Sequence, residues 1–467
     1  MAHTPDMTTF EGIKEQAQGL IHLDVALVAR QPIFDVSNNV PAYELLFRDP
    51  AMKPGLGGKN PSAATATVLI DGFELIRPTL RHGQRLFINF TEETLEAGLA
   101  TMLPPDICVV EVLEHARPTP TLLQELRNLR QQGYTLALDD YTGQEELAAF
   151  LPLIDLVKVD VYRKGEAEIR SMVKILREYE VTLLAEKVED SDTMRLCREL
   201  NFALFQGFFF GHVEIVKGKK LSPSQAVKFR LLSLTSSEES KINSVAEVVM
   251  ADISLSYKLL RHINSVYFGL SKKVNSIRQA ILLLGRQKFH QWLCVTILAG
   301  LDAAPMSHEL AYASALRGKF LEVLARRNGE ILARHSRTVT SSQRGMGASL
   351  FLLGLFSLLE HILGIPINEV RNELPMEEAM MDALATGTGP YAPWLDLIKA
   401  YELGEWDRVD TLVSHLGQSS AVLKASYAEA ALWASDIFND SQRQPKVRGI
   451  DFSLKKILPE HDNSNSE

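Results

Sequence analysis

Between Asp24 and Phe210, short runs rich in Val, Ile, Leu and Phe recur between amphipathic segments. They are Asp24–Arg30, Pro41–Phe47, Arg85–Phe90, Ile107–Leu113, Tyr134–Leu138, Asp155–Val161, Val181–Glu186 and Ala203–Phe208. Each is short and apolar enough to be a buried strand. Between them, Thr119 to Gln132 keeps apolar residues at helical spacing, opens on cap-type residues and stops at Gly133, where a left-handed C-cap costs little. Ser191 is placed to cap a second helix over Asp192–Leu200. Strand and helix alternation allows a closed parallel barrel or an open doubly wound sheet, and eight strand runs favour the α/β TIM-like (β/α)8 barrel.

After Leu221-Ser-Pro223 strand-like alternation disappears, and from Gln225 to about Asn439 nearly every segment is Leu/Ala-rich with helical periodicity. An all-α domain is predicted there. Its most apolar stretch, Leu350 to Leu359, falls short of the ~20 residues that cross a bilayer and reads as a buried helix. The first residues mix Asp6, Glu11, Lys14 and Glu15 with polar side chains and lack the apolar core of a secretory signal, while the tail from Gln442 loses apolar density. The expected organisation is a flexible N-terminus over residues 1–22, a barrel over 23–215, a helical domain over 222–440 and a flexible tail over 441–467.

Composition narrows the function classes. Lys+Arg of 49 against Asp+Glu of 58 gives a net charge of −9, the wrong sign for coating a nucleic-acid polymer through a global basic field. Cys108, Cys197 and Cys294 are far apart in sequence, without a C-x-x-C pair, which points to a reducing cytoplasmic compartment rather than a disulfide framework or zinc site. The segment Asp49 to Asn60 is glycine-rich, but Lys53 and Asn60 break the phosphate-loop pattern, so a surface loop is expected.

Candidate chemistry lies in the strand runs themselves. A buried strand should be apolar, yet Glu44, Asn89, Glu111, Asp139, Asp140, Lys158 and Glu186 interrupt or end these runs. In a barrel, strands of one polarity deliver such groups to the C-terminal rim. Single strand-end carboxylates often only cap the next helix. Five carboxylates on one rim would repel unless protonated or bridged, and carboxylate plus amide oxygen suits Mg²⁺ or Mn²⁺. The Asp139–Asp140 pair suits two ions, the usual device for in-line attack on phosphate esters, with Lys158 orienting water or stabilising charge.

Eight ordered motifs resemble the EAL domains that hydrolyse bacterial cyclic di-GMP. They are Gln31-Pro-Ile33, Glu44-Leu-Leu-Phe-Arg48, Phe87-Ile-Asn-Phe90, Glu111-Val-Leu-Glu114, Leu138-Asp-Asp-Tyr141, Val157-Lys-Val-Asp160, Ala185-Glu-Lys-Val-Glu189 and Phe205-Gln-Gly-Phe208. The resemblance implies metal binding by Glu44, Asn89, Glu111, Asp139 and Asp140, and water activation by Lys158 and Glu186. It also implies substrate contacts from Gln31, Arg48 and Gln206, with Arg48 on phosphate and Gln206 lining the metal-side pocket. Glu114 would brace the loop after Asp140. Departures accompany the matches. Asp139-Asp-Tyr-Thr-Gly-Gln-Glu145 lacks the family's glycine pattern in a loop that ties metal binding to dimerisation. Lys187 stands where the family has Gly, and a lysine there is placed to neutralise or displace the adjacent Glu186.

In the helical half, Val249 to Gly269 followed by Ile277 to Gly285 resembles an HDOD domain, and the EAL-then-HDOD order resembles the YuxH type of two-domain signalling protein. Hydrolytic relatives of HDOD domains hold metal on a His-Asp pair; here Ser357 and Leu358 fill those places, so this domain is expected to bind no metal. His461-Asp462 falls in the polar tail, and His262 and His290 read as packed or surface residues. The function implied is Mg²⁺- or Mn²⁺-dependent hydrolysis of cyclic di-GMP to linear pGpG, regulated through an HDOD domain that contacts a protein partner. The alternative is a non-catalytic cyclic di-GMP sensor or a protein-interaction scaffold. Neither a nucleic-acid polymer nor a membrane is expected as partner, and homodimer formation stays open.

Overall fold

The computed structural model describes residues 27–48, 61–207, 242–265, 273–301, 305–335, 341–371 and 376–441, together with the isolated positions 222, 225, 228, 229, 231, 232, 268 and 374. The expected flexible segment 1–22, all of the expected tail 441–467 except Ser441, which ends a helix, the loop 49–60 with its Gly-Gly-Lys-Asn sequence, and His461-Asp462 lie outside the described residues. The chain forms two compact units.

In the first unit eight strands close into a barrel in sequence order. They are β1 (Leu27–Asp35), β2 (Ala42–Arg48), β3 (Arg85–Phe90), β4 (Cys108–Val112), β5 (Thr135–Tyr141), β6 (Leu156–Asp160), β7 (Thr182–Glu186) and β8 (Leu204–Phe205). From β2 to β8 neighbours pair in parallel, but β1 pairs antiparallel with β8, with Phe34 opposite Phe205. The uniform polarity expected from sequence therefore fails at β1. Residues 36–41 are too few for a parallel crossover, which needs a dozen or more. They form instead a tight return in which the Asp35 carboxylate accepts from the backbone N–H of Ser37 and of Asn39, both at 2.8 Å.

The helices between strands are α1 (Pro61–Ile76), α2 (Glu92–Glu96), α3 (Pro120–Gln131), α4 (Glu166–Leu176) and α5 (Ser191–Glu199). On α3 the Thr119 hydroxyl accepts from Leu122 N–H, Pro120 sits in the first turn, Leu122, Leu126 and Leu129 form the buried face, and Gly133 beyond the end has φ +89°. On α5 the cap is Asp190 rather than Ser191: its carboxylate accepts from Thr193 N–H and O–H. A carboxylate there also complements the positive helix end, which a hydroxyl cannot.

One layer of inward side chains fills the barrel: Ile33, Ala42, Phe87, Val109, Ala137, Leu156, Leu184 and Leu204, one per strand, all essentially inaccessible. Ile33, Phe87, Val109, Leu156, Leu184 and Leu204 each contribute about 1.5–3 kcal/mol by leaving water, and the two alanines less. The layer also closes the floor beneath the polar groups described below.

The second unit is helical: α6 (Ile242–Ala251), α7 (Ile253–Ile263), α8 (Ile277–Leu284), α9 (Arg286–Ala299), α10 (Pro305–His335), α11 (Ser341–Phe356), α12 (Leu359–Leu363), α13 (Glu378–Thr386), α14 (Ala392–Glu402), α15 (Trp406–His415) and α16 (Ser420–Ser441). The long helix α10 packs against α11 and α16. Residues Met346–Leu363 are apolar enough over 18 positions to match a membrane span, but a break at Ser357-Leu358 divides them between α11 and α12, and more than half of the stretch is buried in the unit. As the sequence pattern implies, Leu350, Phe351, Leu353, Leu355 and Phe356 are core residues.

Where α10 meets α11, Gly318 and Gly354 bring the backbones together. A Cβ at Gly354 would lie 2.5 Å from Gly318 N, and one at Gly318 would lie 2.6 Å from Phe351 O. Beside this crossing, Arg317 donates to Glu402 at 2.9 and 3.1 Å from Nε and to the Ser357 hydroxyl at 3.0 Å. Ser357 in turn donates to the Gly354 carbonyl at 2.7 Å, so one polar network spans α10, the α11 end and α14. His262 is buried and stacks on Trp292, and His290 lies 3.4 Å from the Cys294 thiol.

Candidate active site

Strand alternation builds the site. Two residues beyond each member of the apolar floor, on the same inward face, stands a polar residue: Glu44 after Ala42, Asn89 after Phe87, Glu111 after Val109, Asp139 after Ala137, Lys158 after Leu156, Glu186 after Leu184 and Gln206 after Leu204. On β1, which runs the other way, the same step is taken backwards, from Ile33 to Gln31. All eight strands or their immediate ends thus supply one residue to a single polar layer.

Lys158 occupies its centre, 1% exposed. Its Nζ lies 2.7 Å from Asp139 Oδ1, 2.8 Å from Glu111 Oε1, 2.9 Å from Glu186 Oε1 and 3.2 Å from Glu44 Oε2. Glu44 is the shared acceptor, receiving Asn89 Nδ2 at 3.0 Å on Oε1 and Gln206 Nε2 at 2.8 Å on Oε2; Gln206 Nε2 also reaches Gln31 Oε1 at 2.7 Å. Four carboxylates against one ammonium leave an excess of negative charge in a dry cup. Burial pushes the Glu111 carboxyl well above the usual range, against the pull of Lys158 and with Glu44 and Asp139 adding to the rise. Burial likewise lifts Glu186 to about 8, opposed by Lys158 and reinforced by Asp139 and Glu44. Burial would lower the Lys158 ammonium, but Glu111, Glu186, Glu44 and Asp139 together hold it well above its ordinary value.

The layer is rich in oxygens without donors. Asn89 Oδ1, Glu111 Oε2, Glu186 Oε2 and Gln206 Oε1 are buried and accept no hydrogen bond from any described residue. Buried acceptors are seldom left so, and oxygen groups short of protons are what a hard divalent cation takes as ligands.

Asp140 is placed differently. The β5–β6 register shifts between Leu138 and Tyr141, and Asp140 sits in this bulge with φ +42°. Two consecutive carboxylates therefore both stay at the mouth instead of alternating in and out. Oxygens of Glu114, Asp139 and Asp140 lie within 4.8 Å of one another. The sequence expectation for Lys187 is corrected here: it does not pair with its neighbour Glu186. Its Nζ donates to Asp140 Oδ1 and Asp160 Oδ2, both at 2.7 Å, while Glu186 turns inward to Lys158. The reason is alternation, which sends adjacent side chains apart, together with a φ of +56° at Lys187. Burial lowers the Lys187 ammonium, and the two carboxylate hydrogen bonds more than reverse this. Asp160 carries no role in the sequence reading; its place two residues after Lys158, at a strand end, is the signal that could have found it. Arg48 ends β2, and its side chain lies outside the described residues.

Comparisons with known proteins bear on this arrangement. The EAL domain family matches residues 75–212 and the HDOD domain family residues 221–316. YuxH of Bacillus subtilis is 33% identical over 420 residues, covering 88% of this chain and 98% of that protein. The chain belongs to the YuxH-type EAL–HDOD family. A second member, cyclic di-GMP phosphodiesterase CdgJ of Vibrio cholerae, is 30% identical over 413 residues, covering 88% of this chain and 92% of that one. Among solved structures, the calcium/cyclic di-GMP complex of Klebsiella pneumoniae BlrP1 at pH 8.0 aligns at 25% identity and a TM-score of 0.36, over 41% of this chain and 57% of that one. In this EAL–HDOD protein, the eight residues of the polar layer fall within the motifs by which the sequence resembles EAL domains.

Proposed function

We propose that this EAL–HDOD protein acts in cyclic di-GMP signalling, its barrel hydrolysing cyclic di-GMP to linear pGpG and its helical domain conveying regulation through a protein partner. The observation that carries the proposal is the single polar layer around Lys158, with its unpaired oxygens and excess of carboxylates. The name of the Vibrio cholerae relative supports the substrate class. In this reading Glu44, Asn89, Glu111, Asp139 and Asp140 hold Mg²⁺ or Mn²⁺. A bound divalent ion supplies charge neutralisation at the phosphodiester and acidifies a water molecule.

The chain's own groups do the rest. Lys158 holds Glu44, Glu111, Asp139 and Glu186 in one cluster and opposes their mutual repulsion. Glu186, lifted to about 8 by burial, keeps one oxygen free of hydrogen bonds and serves as proton acceptor for the attacking water. Gln31 and Gln206 wall the cup on the β1–β8 side and contact the dinucleotide, Arg48 meets a phosphate, and Glu114 braces the loop after Asp140. The floor of Phe87, Leu156 and Leu184 excludes water from below. Reduced thiols at Cys108, Cys197 and Cys294, all buried and unpaired, support a cytoplasmic location.

The tie from Lys187 to Asp140 and Asp160 favours a second reading, a sensor that binds the messenger without cleaving it. Incubation of the purified protein with cyclic di-GMP and Mn²⁺, following both binding and pGpG, separates the two. Hydrolysis that disappears in Glu44→Ala and Asp139→Ala supports the enzyme. Binding without turnover establishes the sensor, and neither binding nor turnover removes both.

A further inference from the structure

Lys187 is held where it stands by the backbone on either side. Val188 N–H donates to the Gln206 carbonyl at 3.1 Å, and Val161 N–H to the Glu186 carbonyl at 3.2 Å. Gly207, at φ +144°, presses against this clamp so closely that a Cβ there would lie 2.4 Å from Val188 N. Lys187 itself adopts a left-handed conformation at φ +56°, which strains a side-chain-bearing residue and costs glycine almost nothing. The strain is accompanied by a specific gain: from this fixed origin the ammonium reaches across the β6 end and lies 2.7 Å from a carboxylate on each of two strand ends. A cation tethered in this way competes at high effective concentration with any free ion for the same oxygens.

We propose that Lys187 serves as a resident cation in place of one divalent ion, occupying the Asp140–Asp160 pair and leaving the barrel mouth with one divalent-ion position, at the Glu44, Asn89, Glu111 and Asp139 oxygens. This rests on the divalent-ion reading of the polar layer and removes Asp140 from the ligands assigned there. Charge supports the division. The central cluster sets four carboxylates against Lys158 and keeps Asn89 Oδ1 and Glu111 Oε2 without donors, whereas Asp140 and Asp160 are only two carboxylates, both hydrogen-bonded to the Lys187 ammonium. The bulge that brings Asp140 to the mouth therefore presents it to a lysine.

The test counts ions on the full-length, metal-stripped protein, by titration with Mn²⁺ and measurement of free Mn²⁺ by electron paramagnetic resonance. One Mn²⁺ per chain is expected for the wild type and for Lys187→Arg, and two for Lys187→Gly, which relieves the backbone strain. Lys187→Asn, which also tolerates the left-handed conformation, is expected to bind two and guards against a fold-specific failure of the glycine variant. Two ions in the wild type, or one in the wild type and in both Lys187→Gly and Lys187→Asn, overturns the inference alone. If neither the wild type nor these variants bind Mn²⁺, the divalent-ion reading falls and takes this inference with it.

Discussion

Lys158 Nζ lies 2.7 Å from Asp139 Oδ1 at the centre of a cup that admits almost no solvent, and three further carboxylates share the same ammonium. Lys158→Met would leave Glu44, Glu111, Asp139 and Glu186 facing one another without compensation. Breaking a buried pair by removing one partner costs about 3–5 kcal/mol. At neutral pH the metal-free variant should unfold at clearly lower urea than the wild type, and saturating Mn²⁺ should recover part of the loss. The four tryptophans, Trp292, Trp394, Trp406 and Trp433, all lie in the helical half, so far-ultraviolet circular dichroism is the measurement to use. A variant as stable as the wild type without metal would show that the carboxylates do not depend on Lys158.

In the helical unit, Arg317 and Glu402 form a partly buried pair that also orders Ser357. Arg317→Met should destabilise this unit by about 3 kcal/mol, because the Glu402 carboxylate loses its partner. Pairing it with Glu402→Met removes both charges and should return much of that loss. Tryptophan fluorescence during urea unfolding reads the effect directly, and a double variant no more stable than the single one would contradict it.

The approach of α10 and α11 makes two glycine substitutions on one helix diverge. Gly354→Ala places a Cβ against the Gly318–Arg317 backbone, where nothing can rotate away, and should cost about 1–3 kcal/mol or more. Gly347→Ala meets only the flexible Glu322 side chain and backbone at 3.7 and 3.8 Å, and should be neutral or stabilising by up to about 1 kcal/mol. The same fluorescence transition compares them. Equal effects would mean that the crossing is not tight.

Burial lowers the His290 imidazole to about 4, and Arg286 adds to the shift. The folded protein thus keeps His290 neutral at pH values where the unfolded chain already binds a proton. The resulting stability is present above about pH 6.5 and is lost as pH falls toward 4, at about 1.4 kcal/mol per unit and at most about 3 kcal/mol. His290→Gln should flatten that acid limb in a series of thermal melts between pH 7 and 4.5. An unchanged slope would assign the acid sensitivity to other groups.

Much of the site is legible without coordinates because strand period and residue type carry it. Glu44, Asn89, Glu111, Asp139, Lys158 and Glu186 each violate an apolar run, and burial makes such violations costly unless they meet partners. Gln31 and Gln206 are less conspicuous, since Gln31 lies on the mouth side of inward Ile33 only because β1 runs backwards. The cap at Asp190 rather than Ser191 is a one-residue competition between adjacent good caps, decided by local backbone geometry.

Local pattern by itself determined that eight apolar runs would form strands, that helices would follow after residue 222, and that a polar set would interrupt the strand runs. These properties follow from the preferences of neighbouring residues. Tertiary structure alone decided the reversed direction of β1, the central place of Lys158 among four carboxylates, and the turn of Lys187 away from Glu186 toward Asp140 and Asp160. Each depends on groups far apart in the chain, whose distances exist only once the barrel has closed and its bulge has set the direction of one aspartate.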